Sequence, residues 1–181
     1  MERQGLVSER TKFTFYPGAV RIPGKVAPVT INRSWSVDVE VEIPATGARG
    51  PIVVMGGDTN GWSLYLDEEG KPTFCYNLAG LQLTYIRASE ALPAGRQMVR
   101  YEFEKRGNEP LGAGGAGRIF VAGQKVAEGV IPKTTAFDYS LDETFDVGCD
   151  KGSPVTPEYA PLSSFTGKVI KVEMNLKPDL V

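Results

Sequence analysis

An antiparallel β-sandwich is the fold the sequence predicts, on three observations. Residues 35–43, Trp-Ser-Val-Asp-Val-Glu-Val-Glu-Ile, alternate apolar and polar side chains without a break, which gives a strand one buried face and one wet face. Residues 55–128 repeat short alternating pieces separated by Gly-bearing turns. No helical apolar period competes with this pattern, and the 21 Gly and 13 Pro needed for many turns are spread along the chain.

Taken in order, residues 1–10 are polar apart from Leu6 and Val7 and read as a tail or linker, leaving residues 11–181 as a single domain. Residues 12–16, Lys-Phe-Thr-Phe-Tyr, alternate until Pro17-Gly18 stops them. Residues 20–29 contain Pro23 and Pro28, so they read as an edge segment or irregular crossing that cannot donate a full ladder. Trp35, Val37, Val39, Val41 and Ile43 belong to the core face of the next strand, with Ser36, Asp38, Glu40 and Glu42 facing solvent. The continuous apolar run Ile52-Val-Val-Met55 fits a strand covered on both sides. Strands at 62–66 and 73–77 flank a hairpin turn ending at Gly70, and strands at 81–86 and 98–104 follow. Residues 107–117 read as a long Gly-rich hairpin connection, after which 118–122 pairs with 125–131.

Composition excludes several functions. A formal charge of −2, with 20 Lys and Arg scattered rather than clustered, supplies no field for nucleic acid or an anionic membrane surface. No apolar run approaches the length of a membrane span, and Met1-Glu-Arg-Gln-Gly lacks the order of a signal peptide, which points to a soluble chain and leaves the compartment open. The absence of histidine removes the commonest general base and the commonest zinc and iron ligand. Cys75 and Cys149 make one bridge at most, and Cys75 reads as a half-buried thiol within its strand. Gly112-Ala-Gly-Gly-Ala-Gly117 suggests a phosphate cradle but opens onto a strand with no Gly-Lys-Ser/Thr after it, so a nucleotide site is set aside.

Two sets of candidate site residues follow. Asp142, Glu143, Asp146 and Asp150, with glycines between and after them, could converge on a hard cation, making calcium the one candidate cofactor; as a strand, the same segment turns Phe145 and Val147 inward and leaves the acids solvated. Asp142 and Asp146 also invite a paired-carboxylate glycosidase reading, whose required separation sequence does not give. Trp62, Tyr76 and Tyr85 are large aromatics that stack on sugars from a concave sheet or, more often, fill a core. Asn77 and Asp58 would add polar contacts beside them.

The series Trp62-Ser-Leu-Tyr-Leu, Gly70-Lys-Pro, Tyr76-Asn77, Val99-Arg-Tyr-Glu-Phe, Ile119-Phe-Val-Ala-Gly123-Gln-Lys-Val126, Ser140-Leu-Asp-Glu-Thr-Phe-Asp-Val-Gly148 and Phe165-Thr-Gly-Lys-Val-Ile-Lys-Val172 resembles the C-terminal domain of bacterial arylsulfatases over residues 11–176. That resemblance implies a concanavalin A-like, laminin G-like jelly roll, and an accessory role in packing against a sulfatase catalytic domain, shaping a substrate entrance or self-association. It does not imply activity. The formylglycine segment needs Cys or Ser followed by Pro or Ala and then Arg, and Cys75-Tyr-Asn-Leu-Ala and Cys149-Asp-Lys-Gly-Ser both lack it. The chain is therefore expected to be non-catalytic, with a carbohydrate-binding module, calcium-dependent or not, as the first alternative and a jelly-roll glycosidase as the second.

Overall fold

A computed structural model describes residues 10–140 and 142–177. The tail reading falls almost entirely on residues outside that set. Twelve strands are formed: β1 (Lys12–Phe15), β2 (Ile22–Pro23), β3 (Trp35–Ile43), β4 (Gly50–Gly56), β5 (Gly61–Leu66), β6 (Pro72–Leu78), β7 (Gln82–Arg87), β8 (Gly95–Lys105), β9 (Ala113–Val121), β10 (Gln124–Lys133), β11 (Thr144–Val147) and β12 (Lys168–Leu176). They make two six-stranded antiparallel sheets, ordered β1-β12-β3-β8-β9-β10 and β2-β11-β4-β5-β6-β7. No helix occurs among the described residues, so no helix is long and apolar enough to cross a membrane.

The parity of β3 sets the first sheet. Trp35, Val37, Val39, Val41 and Ile43 are all buried between the sheets. Across β8 they oppose Phe103, Tyr101, Val99, Gln97 and Gly95, so one alternating pattern is matched by the next. The outer face is a ladder of charges: Arg100 pairs with Asp38 and Glu102, Arg118 with Glu102, Glu104 and Glu128, and Arg96 with Glu40. These pairings leave Asp38 and Glu40 half-buried and Glu42 exposed, while Ser36 is buried.

Where the sheets face each other the core is aromatic. Trp35 packs on Trp62 with ring centroids 4.6 Å apart, and Phe74 stacks on Tyr101 at 3.6 Å and 7°. Such contacts add to the area these rings bury, about 25 cal/mol for each Å².

The Gly-rich run differs from its sequence reading. Residues 113–117 are not a loop but the first half of β9, paired with both β8 and β10. A Cβ on Gly115 would lie 2.7 Å from the Phe103 ring, and one on Gly117 would lie 2.6 Å from the Tyr101 hydroxyl and against Ile86. The glycines make room for aromatic side chains of the adjacent strand, a tertiary requirement that overrides their low strand propensity.

Candidate functional site

The two outer sheet faces are treated differently. In β4, β5 and β6 almost every residue is buried, for β4 as the run Ile52-Val-Val-Met55 predicted, because residues 149–164 lie as a strap over the outer face of the second sheet. Beneath the strap runs a cross-strand row of Asp146, Val54, Ser63, Cys75 and Tyr85, beside a second row of Tyr65, Thr73 and Arg87. Val155 and Tyr159 from the strap close a small apolar cluster with Val54, Tyr65 and Cys75.

Polar contacts fasten the strap at four places. The Tyr159 hydroxyl lies 2.9 Å from Asp150 Oδ2 and 3.0 Å from Ser63 Oγ. Tyr65 donates its hydroxyl to Glu158 at 2.5 Å, and Arg87 reaches both oxygens of the same carboxylate at 2.5 and 2.7 Å. Tyr85 and Thr156 share a hydroxyl hydrogen bond of 2.9 Å. Asn77 donates to the carbonyls of Val155 and Asp58 and accepts from the Gly80 amide, tying the strap, the 57–60 loop and the β6–β7 turn together.

Burial shifts the acids and bases here. The Asp150 carboxyl, removed from water, is pushed up to about 6, partly offset by the Tyr159 hydroxyl and the Gly152 and Val155 amides. Desolvation also raises the Cys75 thiol to about 12 and the Tyr76 phenol to about 12. Neither cysteine is bridged, and a thiol so protonated is a poor nucleophile.

The sequence-derived candidates separate on this framework. Trp62 is fully buried and donates its indole N–H to Thr30, and Tyr76 is buried on the same inner face with its hydroxyl accepting from the Thr135 amide. Both belong to the core between the sheets and are closed to an outside ligand. Asn77 is buried as a brace. Asp58 is exposed on the rim, where its carboxylate and that of Glu143 both contact the Ser153 hydroxyl. Of the three candidate aromatics only Tyr85 is exposed, at 37 %, with the Arg87 guanidinium 5.9 Å above its ring centre.

The acidic segment does not assemble as a four-acid cation site. Among the described residues no three His, Cys, Asp or Glu side chains gather as metal ligands. Asp146 does project outward from β11, but it is 1 % exposed rather than solvated, and its oxygens accept from the Arg21 amide, the Lys151 amide and the Thr144 hydroxyl. Asp150 is equally buried and bonded to Tyr159, while Asp142 is exposed. Protein donors thus take three of the acceptor sites of Asp146 and two of those of Asp150, so both carboxylates act as braces between segments of the fold.

What the structure does bring together is Leu83, Tyr85 and Arg87, consecutive outward residues of the edge strand β7, all exposed and bordered by Thr156 and Glu158 of the strap. An apolar-aromatic platform beside a fixed ion pair can stack on the C–H face of a ring while hydrogen-bonding its substituents. Arg87, Leu83 and Glu158 were missed from the sequence. Arg87 and Leu83 were within reach, since they share Tyr85's parity on a strand whose opposite side carries the buried Ile86.

No family model matches the sequence, and no curated protein does. Solved structures similar in fold include domain 4 of AbnA, a GH43 extracellular arabinanase from Geobacillus stearothermophilus, in complex with arabinotriose, at a TM-score of 0.56 and 14% identity over 83% of this chain. The Ruminococcus gnavus IT-sialidase CBM40 bound to α2,3 sialyllactose follows at 0.54 and 12%, covering 82% of this chain and 80% of that one. Mouse laminin α1 domains LG4-5 match at 0.54 and 17% over 94% of this chain. The fold is a concanavalin A-like, laminin G-like jelly roll. This chain spans 65% of the arabinanase domain structure and 40% of the laminin pair. None of the three is a sulfatase domain.

Proposed function

We propose that this domain is a non-catalytic glycan-binding module whose contact surface is the outer side of β7. The observation that carries the reading is the exposed row Leu83, Tyr85 and Arg87, in which the strap holds Tyr85 through Thr156 and Arg87 through a two-pronged ion pair with Glu158. Rigid aromatic and planar charged groups lose little freedom on binding, so they suit a ligand that offers only weak contacts. Supporting it, the similar arabinanase and sialidase domains were solved with arabinotriose and sialyllactose. The absence of histidine and of a formylglycine segment supports a binding rather than a hydrolytic role.

An accessory role beside a sulfatase catalytic domain, or self-association, draws no support from the similar structures. An uncharged ligand is favoured because Arg87 is already paired with Glu158 and approaches Asp67 at 3.5 Å, so a polyanion would have to displace two carboxylates. The test is binding to a panel of immobilised polysaccharides. Binding that Tyr85→Ala weakens about tenfold or more, while Thr156→Ala, which breaks the same strap hydrogen bond but keeps the ring, leaves it unchanged, is the expected result. Binding unaffected by Tyr85→Ala and Arg87→Ala, or no binding at all, would remove this reading.

A further inference from the structure

A concavity of about 170 Å³ lies at the end of the sandwich, beside the turn that begins at Asp67, which Arg87 of β7 approaches at 3.5 Å. Its wall comes from three turns, contributing Thr46 and Arg49, Glu68, and Ala91 and Leu92, with Thr166 completing the rim. The turns are pinned to each other. The Leu92 amide donates to the Gly70 carbonyl at 3.0 Å, the Thr166 amide to the Arg49 carbonyl at 2.9 Å, and the Arg49 amide to the Thr166 hydroxyl at 2.9 Å. Asp67 stiffens the second turn by accepting from the amides of Glu69 and Lys71, both at 2.9 Å. The concavity is thus preformed, which spares a ligand the cost of ordering it.

Its lining offers both an apolar floor and polar groups, a mixture that suits a polyol. Leu92 and Ala48 are buried and give an apolar lining, while Arg49 and Glu68, 3.6 Å apart and both largely exposed, hold more donors and acceptors than their loose pairing uses. Glu69 is drawn to Lys71, so the local charges balance. The volume is well below the roughly 300–1,000 Å³ of pockets for drug-sized molecules, which leaves space for one small ring. The link to β7 is Asp67, which opens the Glu68 turn and lies 3.5 Å from Arg87.

We infer that this concavity is a second subsite of the glycan surface, holding one uncharged sugar unit next to the unit stacked on Tyr85. The inference rests on the glycan-binding reading above. Its test is a length series of neutral oligosaccharides, arabinobiose to arabinohexaose and the matching gluco-oligosaccharides, titrated into the ¹⁵N-labelled chain. Short members should move the amides of Leu83 and Tyr85 only, and longer ones should also move those of Gly47, Gly70 and Leu92. Arg49→Ala, at an exposed position, should leave the melting temperature and short-ligand binding unchanged and weaken the longer ligands about tenfold.

Equal loss at all lengths, or no loss, on Arg49→Ala would overturn the second subsite while leaving binding at Tyr85 intact. Oligouronides binding at the Arg49 concavity more tightly than neutral chains would overturn the uncharged class. Failure of every oligosaccharide to bind would overturn this inference together with the reading on which it rests.

Discussion

Replacing Asp146 with alanine should unfold more than its own strand. The carboxylate accepts from the Arg21 amide at 2.5 Å, the Lys151 amide at 3.1 Å and the Thr144 hydroxyl at 3.2 Å, joining the β2 segment, β11 and the start of the strap. Arg21 is also held at φ 54°, a left-handed conformation that a side-chain-bearing residue keeps only when its surroundings enforce it. Each hydrogen bond to a charged group contributes about 1.5–3 kcal/mol, and two part-buried amides lose their acceptor, so the expected loss is about 3–6 kcal/mol. Against a total stability of about 5–15 kcal/mol, this is a large fraction and corresponds to a melting shift of roughly 10 °C or more. Urea denaturation of both proteins, once in EDTA and once in millimolar calcium, measures it. The loss should be the same in the two solutions. A loss under about 1 kcal/mol, or one seen with calcium and absent in EDTA, would refute the hydrogen-bonding account and restore a metal role.

Two further predictions concern the core and the strap. Gly117→Ala should cost about 1–3 kcal/mol by overpacking against Tyr101 and Ile86; Tyr101→Phe, which deletes a buried hydroxyl with no partner among the described residues, should be neutral or stabilising alone and should recover part of the Gly117→Ala loss, as read by a double-mutant cycle. Asp150 titrates near 6 in the fold against about 4 unfolded, so the native state holds its proton more tightly and stability falls as pH rises from about 4 to 6; Asp150→Asn should remove that fall, a difference of about 3 kcal/mol between the two stability–pH curves, and parallel curves would contradict it.

Much of the fold was legible because its strands carry two-residue periodicity with nothing to confuse it. Trp35–Ile43 was read with its observed bounds and parity, and the covered run at 52–55 was read as covered. The glycines of 113–117 were misread because what they respond to, the rings of Phe103 and Tyr101, lies on a neighbouring strand. The strap was illegible for a related reason. Val155 and Tyr159 are isolated apolar residues in a Pro- and Ser-rich stretch, and only their docking on Val54, Tyr65 and Cys75 gives them meaning. At the site, Trp62 and Tyr76 share parity with Leu64 and Phe74, an apolar face that marks the interior, whereas Tyr85 shares its side with Arg87. Asp146 and Asp150 looked solvated because groups that bond their oxygens, the Arg21 amide and the Tyr159 hydroxyl, come from outside the 142–150 segment.

The position of β12 between β1 and β3 dictates an order of events during folding. The pairing partners of β3 are β8, about sixty residues on, and β12, which ends at Leu176. As the chain leaves a ribosome, β3 and β8 are available together long before β12. Through that interval one side of β3 presents unpaired amides and carbonyls next to Val37, Val39 and Val41, a row that invites pairing with another nascent chain. The last nine-residue strand closes this edge and also recruits β1, so its arrival converts an aggregation-prone intermediate into the finished sheet. Shortening the chain before Lys168 would therefore yield insoluble material rather than a smaller domain, and folding dominated by such distant pairings is slow, in the millisecond-to-second range of sandwich proteins.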